Sequence, residues 1–395
     1  MRRPVGGGAV GASASVEFRS FPTGKASLVS RRSTRRQMLL LSCSAWGLGI
    51  CGCDQPSEGR PKPWGGERPG GLEGRVTSTH AAGMTSDGPD GEPPIRVVTT
   101  VGMVADLVRE VGGSRVAVTQ MMGSGIDPHL YRVTRDDVRA IMGADLVIYN
   151  GLLLEGKMEG VLRSVGRRKR VVAAAELIDA RWRLADRSGG RDDPHVWMDV
   201  SLWAGCGIAL AGVLGDFDPK HAADYQARAA RYAEDLLRLH AYGLRSIGSI
   251  PDGRRVLITS HDAFHYFGRA YGIEVLGVQG MSTDSEAGLR RINGLVDLLI
   301  RRQVPAVFVE SSVPRKSIDA LIEGAGAGGH RVRVGGELYS DAMGARGSYQ
   351  GTYVGMMDHN ITRVTRALGG ECPPRGWQGR LKESPTWAEV GERGA

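Results

Sequence analysis

Four stretches of this chain carry side chains that could ligate a metal. Asp127-Pro128-His129-Leu130-Tyr131 and Asp193-Pro194-His195-Val196-Trp197-Met198-Asp199 each place a histidine directly after a proline. Proline fixes its own φ and biases the preceding residue toward extended backbone, so each imidazole sits on a stiff turn with one direction. Ser260-His261-Asp262 follows one apolar run, and Tyr339-Ser340-Asp341-Ala342-Met343-Gly344 follows another. Imidazole nitrogens and a carboxylate are a donor set for zinc and neighbouring divalent transition metals. His129, His195, His261 and Asp341 are therefore the candidate ligands of one cation. A lone Asp-Pro-His is more often an ordinary turn. Its repetition, together with the two equivalent loop positions, favours the metal.

These residues must be positioned by the elements before them. From residue 95 onward, short β-branched runs alternate with helical spacing: strands are predicted at 95–100, 116–121, 146–149 and 171–174, with helices between them. Thr134-Arg135-Asp136-Asp137 reads as a capping box opening a helix that ends near Gly143. At Asp218-Pro219 the pattern changes to an N-cap with proline at the first helical position. Ala222, Tyr225, Ala229, Tyr232, Leu236 and Leu239 then recur at steps of three and four, predicting within the connecting segment 216–250 a rod of about thirty residues, 218–248, roughly 45 Å long. Beyond Pro251 the alternation resumes: strands at 255–260, 274–276, 306–310 and 330–334, helices at 263–271, 285–302, 316–323 and 353–368. The fold class is α/β: two βα lobes with mostly parallel sheets, residues 95–215 and 251–369, joined by one long rigid α-helix. Ligands of open α/β sheets bind beyond the carboxyl ends of the strands. His129 and His195 precede the rod and His261 and Asp341 follow it, so the metal would lie in the interlobe cleft, two ligands from each side.

Composition bounds the rest. The chain has 395 residues, 41% of them hydrophobic, enough for about two domains with a full core. The net charge of +8 is concentrated at the start: the first 52 residues hold eight Lys/Arg against one acid, Glu17. With that removed the charge is near neutral, which argues against a nucleic-acid partner. A basic stretch, Arg31-Arg32-Ser33-Thr34-Arg35-Arg36-Gln37, runs into an apolar stretch at 38–50, short for a membrane span and right for a signal sequence. It resembles a twin-arginine export signal. Gly52-Cys53 resembles a lipoprotein cleavage site, so residues 1–53 are expected to be a signal peptide and Cys53 the acylated first residue of the mature protein. Residues 54–94, rich in Gly, Pro, Ser and charge, are expected to be a disordered tether. Residues 370–395 are expected to be a flexible tail. Of five cysteines, only Cys206 and Cys372 lie beyond the signal, and no CxxC pair exists, which excludes a cysteine zinc site.

Several motifs together resemble the cluster A-I substrate-binding proteins of metal ABC transporters, and among them the TroA-like zinc/manganese receptors. They are the two Asp-Pro-His turns, Asn150-Gly151-Leu152, Ser260-His261-Asp262-Ala263-Phe264, Gln279-Gly280-Met281-Ser282-Thr283, Phe308-Val309-Glu310-Ser311-Ser312 and Ser340-Asp341-Ala342-Met343-Gly344. The resemblance covers 95 to about 369. It implies a two-lobed receptor with a connecting backbone helix, ligands His129, His195, His261 and Asp341, and a free metal ion as cargo. It implies an integral-membrane permease and a cytoplasmic ATPase as partners, and a monomer that touches the membrane only through its lipid anchor. Location would be periplasmic, or the outer face of the cytoplasmic membrane. Some members are also called adhesins. Manganese-favouring members often carry Glu where this chain has His261, and zinc receptors often carry a long His-rich loop where residues 175–193 are short and free of His. Zinc and manganese therefore both stay open, with iron a third candidate. His265, one helical turn past His261, is a rival ligand, although packing on its helix is the plainer role. Glu310, Asp199 and Asp262 are candidates to orient the ligand imidazoles. Trp197 and Tyr131 are candidate walls, and His221 and His240 are expected to face solvent.

Two other classes compete. A mononuclear metallohydrolase needs an open coordination position and a nearby base, which four protein ligands do not leave, and no His-Glu-x-x-His helix exists. A receptor for a metal chelate, of the siderophore or cobalamin type, would share the two-lobe architecture but line a wide cleft with aromatic or Arg side chains. Aromatics are 6% of the chain and three histidines sit in turn motifs, which favours direct coordination.

Overall fold

The structure, a computed structural model, describes residues 91–185 and 190–383. All of them fall within one compact unit, Thr79–Ala395. The expected signal peptide, nearly all of the tether and the last part of the tail lie outside the described residues.

The first half is a four-stranded parallel sheet. Strands β1 (Ile95–Thr99), β2 (Val116–Gln120), β3 (Leu146–Tyr149) and β4 (Arg170–Ala173) take the order β2-β1-β3-β4. Three helices lie between them: α1 (Gly102–Gly112), α2 (Arg135–Gly143) and α3 (Glu159–Val165). The capping box forms as predicted, Thr134 accepting from the Asp137 backbone and Asp137 returning the bond. Glu92, assigned to the tether, is instead fastened to the folded part: its carboxylate meets Lys220 at 2.7 Å and Arg115 at 3.3 Å.

Two long helices follow. α4 (Val200–Phe217) is apolar nearly all round, because it is covered on several sides. A short 3-10 turn, Pro219–His221, then leads into α5 (Ala222–Gly248), 27 residues long. At 1.5 Å per residue, α5 spans about 40 Å. Tyr225, Ala229, Tyr232, Leu236 and Leu239 form its buried stripe, as their spacing predicts. It packs along α4, and it touches α1 of the first half as well as α6 and α9 of the second.

The second half contains β5 (Val256–Thr259), α6 (His265–Tyr271), β6 (Glu274–Gly277), α7 (Leu289–Arg302), β7 (Ala306–Glu310), α8 (Lys316–Ala327), β8 (Arg333–Leu338) and α9 (Tyr353–Ala367). β5 pairs with β6 and β7 with β8, both parallel, and β5 runs beside β7. β8 starts later and ends later than the sequence predicts, because Gly335-Gly336 weakens the strand signal. The ladder accommodates the pair by a register shift opposite Val307/Phe308. One hydrophobic core runs through both halves, and a smaller one lies under α7 and α8.

Two expectations are corrected. The tail is not frayed where it is described: Leu381 is buried, and the Trp377 backbone donates to Asp358 of α9 at 2.8 Å. His221 does not face solvent: it is buried against Asp218 at 2.9 Å, and His240 is half-buried against Tyr271. Cys206 is buried, Cys372 half-buried, and both are free thiols.

Candidate metal centre

His261 and Asp341 lie just past strand ends, whereas His129 and His195 sit on bonded turns within longer loops. His129 lies beyond β2. The Asp127 carboxylate accepts from its backbone N–H at 2.8 Å, and the other carboxylate oxygen accepts from the Thr283 hydroxyl at 2.5 Å. His195 repeats the turn with one addition. Asp193 Oδ1 accepts its backbone N–H at 2.9 Å and also faces its Nδ1 at 2.7 Å. His261 follows β5, and its partner is Glu310 at the end of β7. One carboxylate oxygen takes the His261 backbone N–H at 2.9 Å and the other faces Nδ1 at 2.6 Å. Close packing fixes the same turn, since a Cβ on Gly277 would fall 2.5 Å from the Asp262 nitrogen. Asp341 follows β8, and the preceding carbonyl, Ser340, accepts from the Trp197 indole N–H at 3.0 Å.

The four side chains meet. Their donor atoms lie within 4.8 Å of one another. Nε2 of His261, His195 and His129 stands 3.1, 3.3 and 3.7 Å from an Asp341 oxygen. None of those contacts has hydrogen-bond alignment, so three imidazole nitrogens and both carboxylate oxygens are buried without a hydrogen-bond partner. A polar group in that position carries a desolvation cost of about 1–3 kcal/mol. Donors about 2 Å from a tetrahedral ion lie about 3.3 Å apart, close to the 3.1–3.7 Å from the three imidazoles to Asp341. His195 and His261 are completely buried, Asp341 is 1% exposed and His129 7%. A bulky chelate has no room among them.

Charge is balanced inside this group. Burial opposes a proton on His195, but Asp193 and then Asp341 outweigh it and raise its pKa to about 9. His261 is raised in the same sense by Glu310 and Asp341 against its burial. Burial would raise Asp341, yet His261 and His195 hold it well below the usual carboxylate range. Burial pushes His129 down to about 3. A divalent cation entering the group would compete with protons for the imidazole nitrogens and would take over their pairing with Asp341.

The orienting residues divide differently from the sequence expectation. Glu310 holds His261, as its strand-end position implies. Asp199 instead caps α4, accepting from Ser201 and Leu202. Asp262 accepts the Gly277 N–H at 2.6 Å and lies 3.5 Å from His265 Nε2. Asp193 is the residue that sequence reasoning missed as the partner of His195. The signal was present, since an Asp two before a His can accept its backbone N–H in an Asx turn. His265 stands outside the four, with Nδ1 3.3 Å from Asp193. Trp197 walls the site edge-on to His195, their ring centroids 5.3 Å apart. Tyr131 turns away to bond Asp137 at 2.7 Å.

The family described as ZnuA, the periplasmic component A of the zinc-uptake complex, matches residues 97–367, a span that holds all four converging side chains. The chain belongs to that family. ZnuA-family relatives align over most of their own length. The manganese-binding lipoprotein MntA of Bacillus subtilis is 46% identical over 286 residues, covering 72% of this chain and 94% of MntA. The zinc-binding protein TroA of Treponema pallidum is 45% identical over 290 residues, 73% of this chain and 93% of TroA. The solved structure of that periplasmic TroA superposes with a TM-score of 0.67, covering 70% of this chain and 99% of TroA. Fe(III)-bound YtgA from Chlamydia trachomatis, 25% identical, superposes at 0.64 over 70% of this chain and 99% of YtgA.

Proposed function

We propose that this ZnuA-family chain is the extracytoplasmic solute-binding component of a metal ABC importer. It takes up one divalent transition-metal ion through His129, His195, His261 and Asp341 and delivers it to an integral-membrane permease driven by a cytoplasmic ATPase. The single observation behind this reading is the convergence of those four buried side chains with no hydrogen-bond partners for the donor atoms that face one another. The ion is cargo. Four protein donors complete a tetrahedral shell and leave no position for a reacting water, so the chain is a receptor and not an enzyme. Zinc and manganese are both served by this donor set, and MntA and TroA, two of the similar relatives, are named for one metal each. Iron fits the same donors.

Binding and release follow from where the ligands sit. Two come from turns before α5 and two from turns after it, so the bound ion fixes the two halves against each other. A long packed helix between them permits small local changes at the ligand turns in preference to wide hinging. Release on docking then needs only that one turn withdraw its ligand.

The test is metal uptake in cells that lack their own receptor of this type. Expression of the chain restores uptake of zinc or manganese, and the His195→Ala/His261→Ala double variant does not. Equal uptake with both would contradict the reading. Anchoring at Cys53, with additional acyl chains giving stable attachment, predicts that Cys53→Ser moves the protein to the soluble envelope fraction. Unchanged membrane partitioning would refute that attachment.

A further inference from the structure

A cavity of about 320 Å³, lined by none of the four candidate ligands, lies between α1 and the loop that carries Asp341. Arg109 of α1 lines one side, and Arg346, exposed on the loop after Asp341, lines the other. Thr119 and Ser124 add hydroxyls, and no Asp or Glu lines it. Two arginines thus line one space, with no carboxylate among its lining residues. Nη2 of Arg109 is buried and lacks a hydrogen-bond partner. Burial, and next the charge of Arg346, lower the Arg109 pKa, so the two cations feel each other. Asp106, one turn back on α1, partly offsets this. Its carboxylate is committed elsewhere, accepting from the Tyr353 backbone N–H at 2.9 Å and lying 3.5 Å from the Tyr232 hydroxyl.

A buried guanidinium N–H without a partner costs more than a neutral donor in the same position. Paired Arg forks with adjacent hydroxyls match the geometry of a carboxylate or phosphate. The volume is at the small end of the range for ligand sites. We propose that this cavity binds a small dissolved oxyanion, a carboxylate or a phosphate, bridging Arg109 to Arg346 and holding the Asp341 loop against α1. Met343 already anchors that loop over α1, where a Cβ on Gly102 would lie 3.1 Å from its Cε. An anion on Arg346 would add a second tether three residues further on. It would slow withdrawal of Asp341, and with it release of the ion. The coupling to release rests on the metal reading above, whereas the anion site does not.

The test therefore has two parts. First, acetate and inorganic phosphate are titrated calorimetrically into the full-length metal-free protein, with chloride at matched ionic strength as the control. Saturable binding in the millimolar range is expected for at least one of the two, and which one binds identifies the anion class. Arg346→Gln, at an exposed position, should weaken it at least tenfold, as should Arg109→Gln. Absence of saturable binding, or equal binding by wild type and Arg346→Gln, would overturn the site. Second, protein preloaded with zinc is mixed with excess chelator, with and without the anion. Release several-fold slower in wild type but not in Arg346→Gln is the expected result. Anion binding that leaves the release rate unchanged would overturn the coupling while leaving the metal reading intact.

Discussion

At the residue scale, the site works through pairs. Each of His195 and His261 presents Nε2 to the centre and has a carboxylate on Nδ1, Asp193 and Glu310 respectively. That arrangement fixes which nitrogen is free to coordinate and where it points. His265 touches the same Asp193 from outside the group. The two neighbouring histidines should therefore separate clearly on mutation. His265→Ala should cost metal affinity about 10–100-fold at most, the range for an outer partner, and His261→Ala well beyond it. Equal losses in a competition titration against a chromophoric chelator would show that the ligand assignment is wrong. The convergence of His129, His195, His261 and Asp341 was legible in the sequence because proline-stiffened turns and strand ends restrict where a side chain can go. The orienting carboxylates were half legible. Glu310 was found from its strand-end position, while Asp193 was hidden in plain sight inside its own motif. Asp199 and Asp262 looked equivalent to it, but each serves a backbone donor, and that choice depends on which N–H groups the fold leaves unpaired nearby.

At the element scale, α5 is the feature on which the arrangement depends. Its buried stripe was readable from spacing alone, and so was the βα alternation on either side of it. Less readable were β8, interrupted by two glycines, and the docking of residues 370–383 on α9, whose Gly- and Pro-rich sequence has few apolar anchors. Leu381 and Trp377 supply those anchors only once α9 is in place. A buried carboxylate also joins three of the helices: Asp106 of α1 accepts from Tyr353 of α9 and lies near Tyr232 of α5. Burial raises its pKa from 3.8 to about 6. The folded state therefore holds this proton more tightly than the unfolded chain. Its contribution to stability is fully present below about pH 4 and is lost as pH rises through about 6, a change on the order of 3 kcal/mol. Asp106→Asn keeps an acceptor for the Tyr353 N–H and should flatten that part of the profile. Denaturant melts of both proteins between pH 4 and pH 7 check this; parallel profiles would show that Asp106 does not carry the effect.

At the scale of the whole molecule, the four proposed ligands are spread across the chain, from His129 to Asp341, and only the complete fold brings them together. An ion bound to the folded chain alone stabilises it by RT ln(1 + [M]/Kd), so the melting temperature should climb with the logarithm of free metal. A more direct measurement is metal stoichiometry. The purified protein would be stripped of metal, dialysed to equilibrium against zinc or manganese at neutral pH, and analysed for bound metal by elemental analysis. The account predicts one ion per chain in the wild type, and at the same free-metal concentration almost none in a His129→Ala/His261→Ala variant that remains folded by circular dichroism. No bound metal in the wild type, or one ion still held by the double variant, would contradict it.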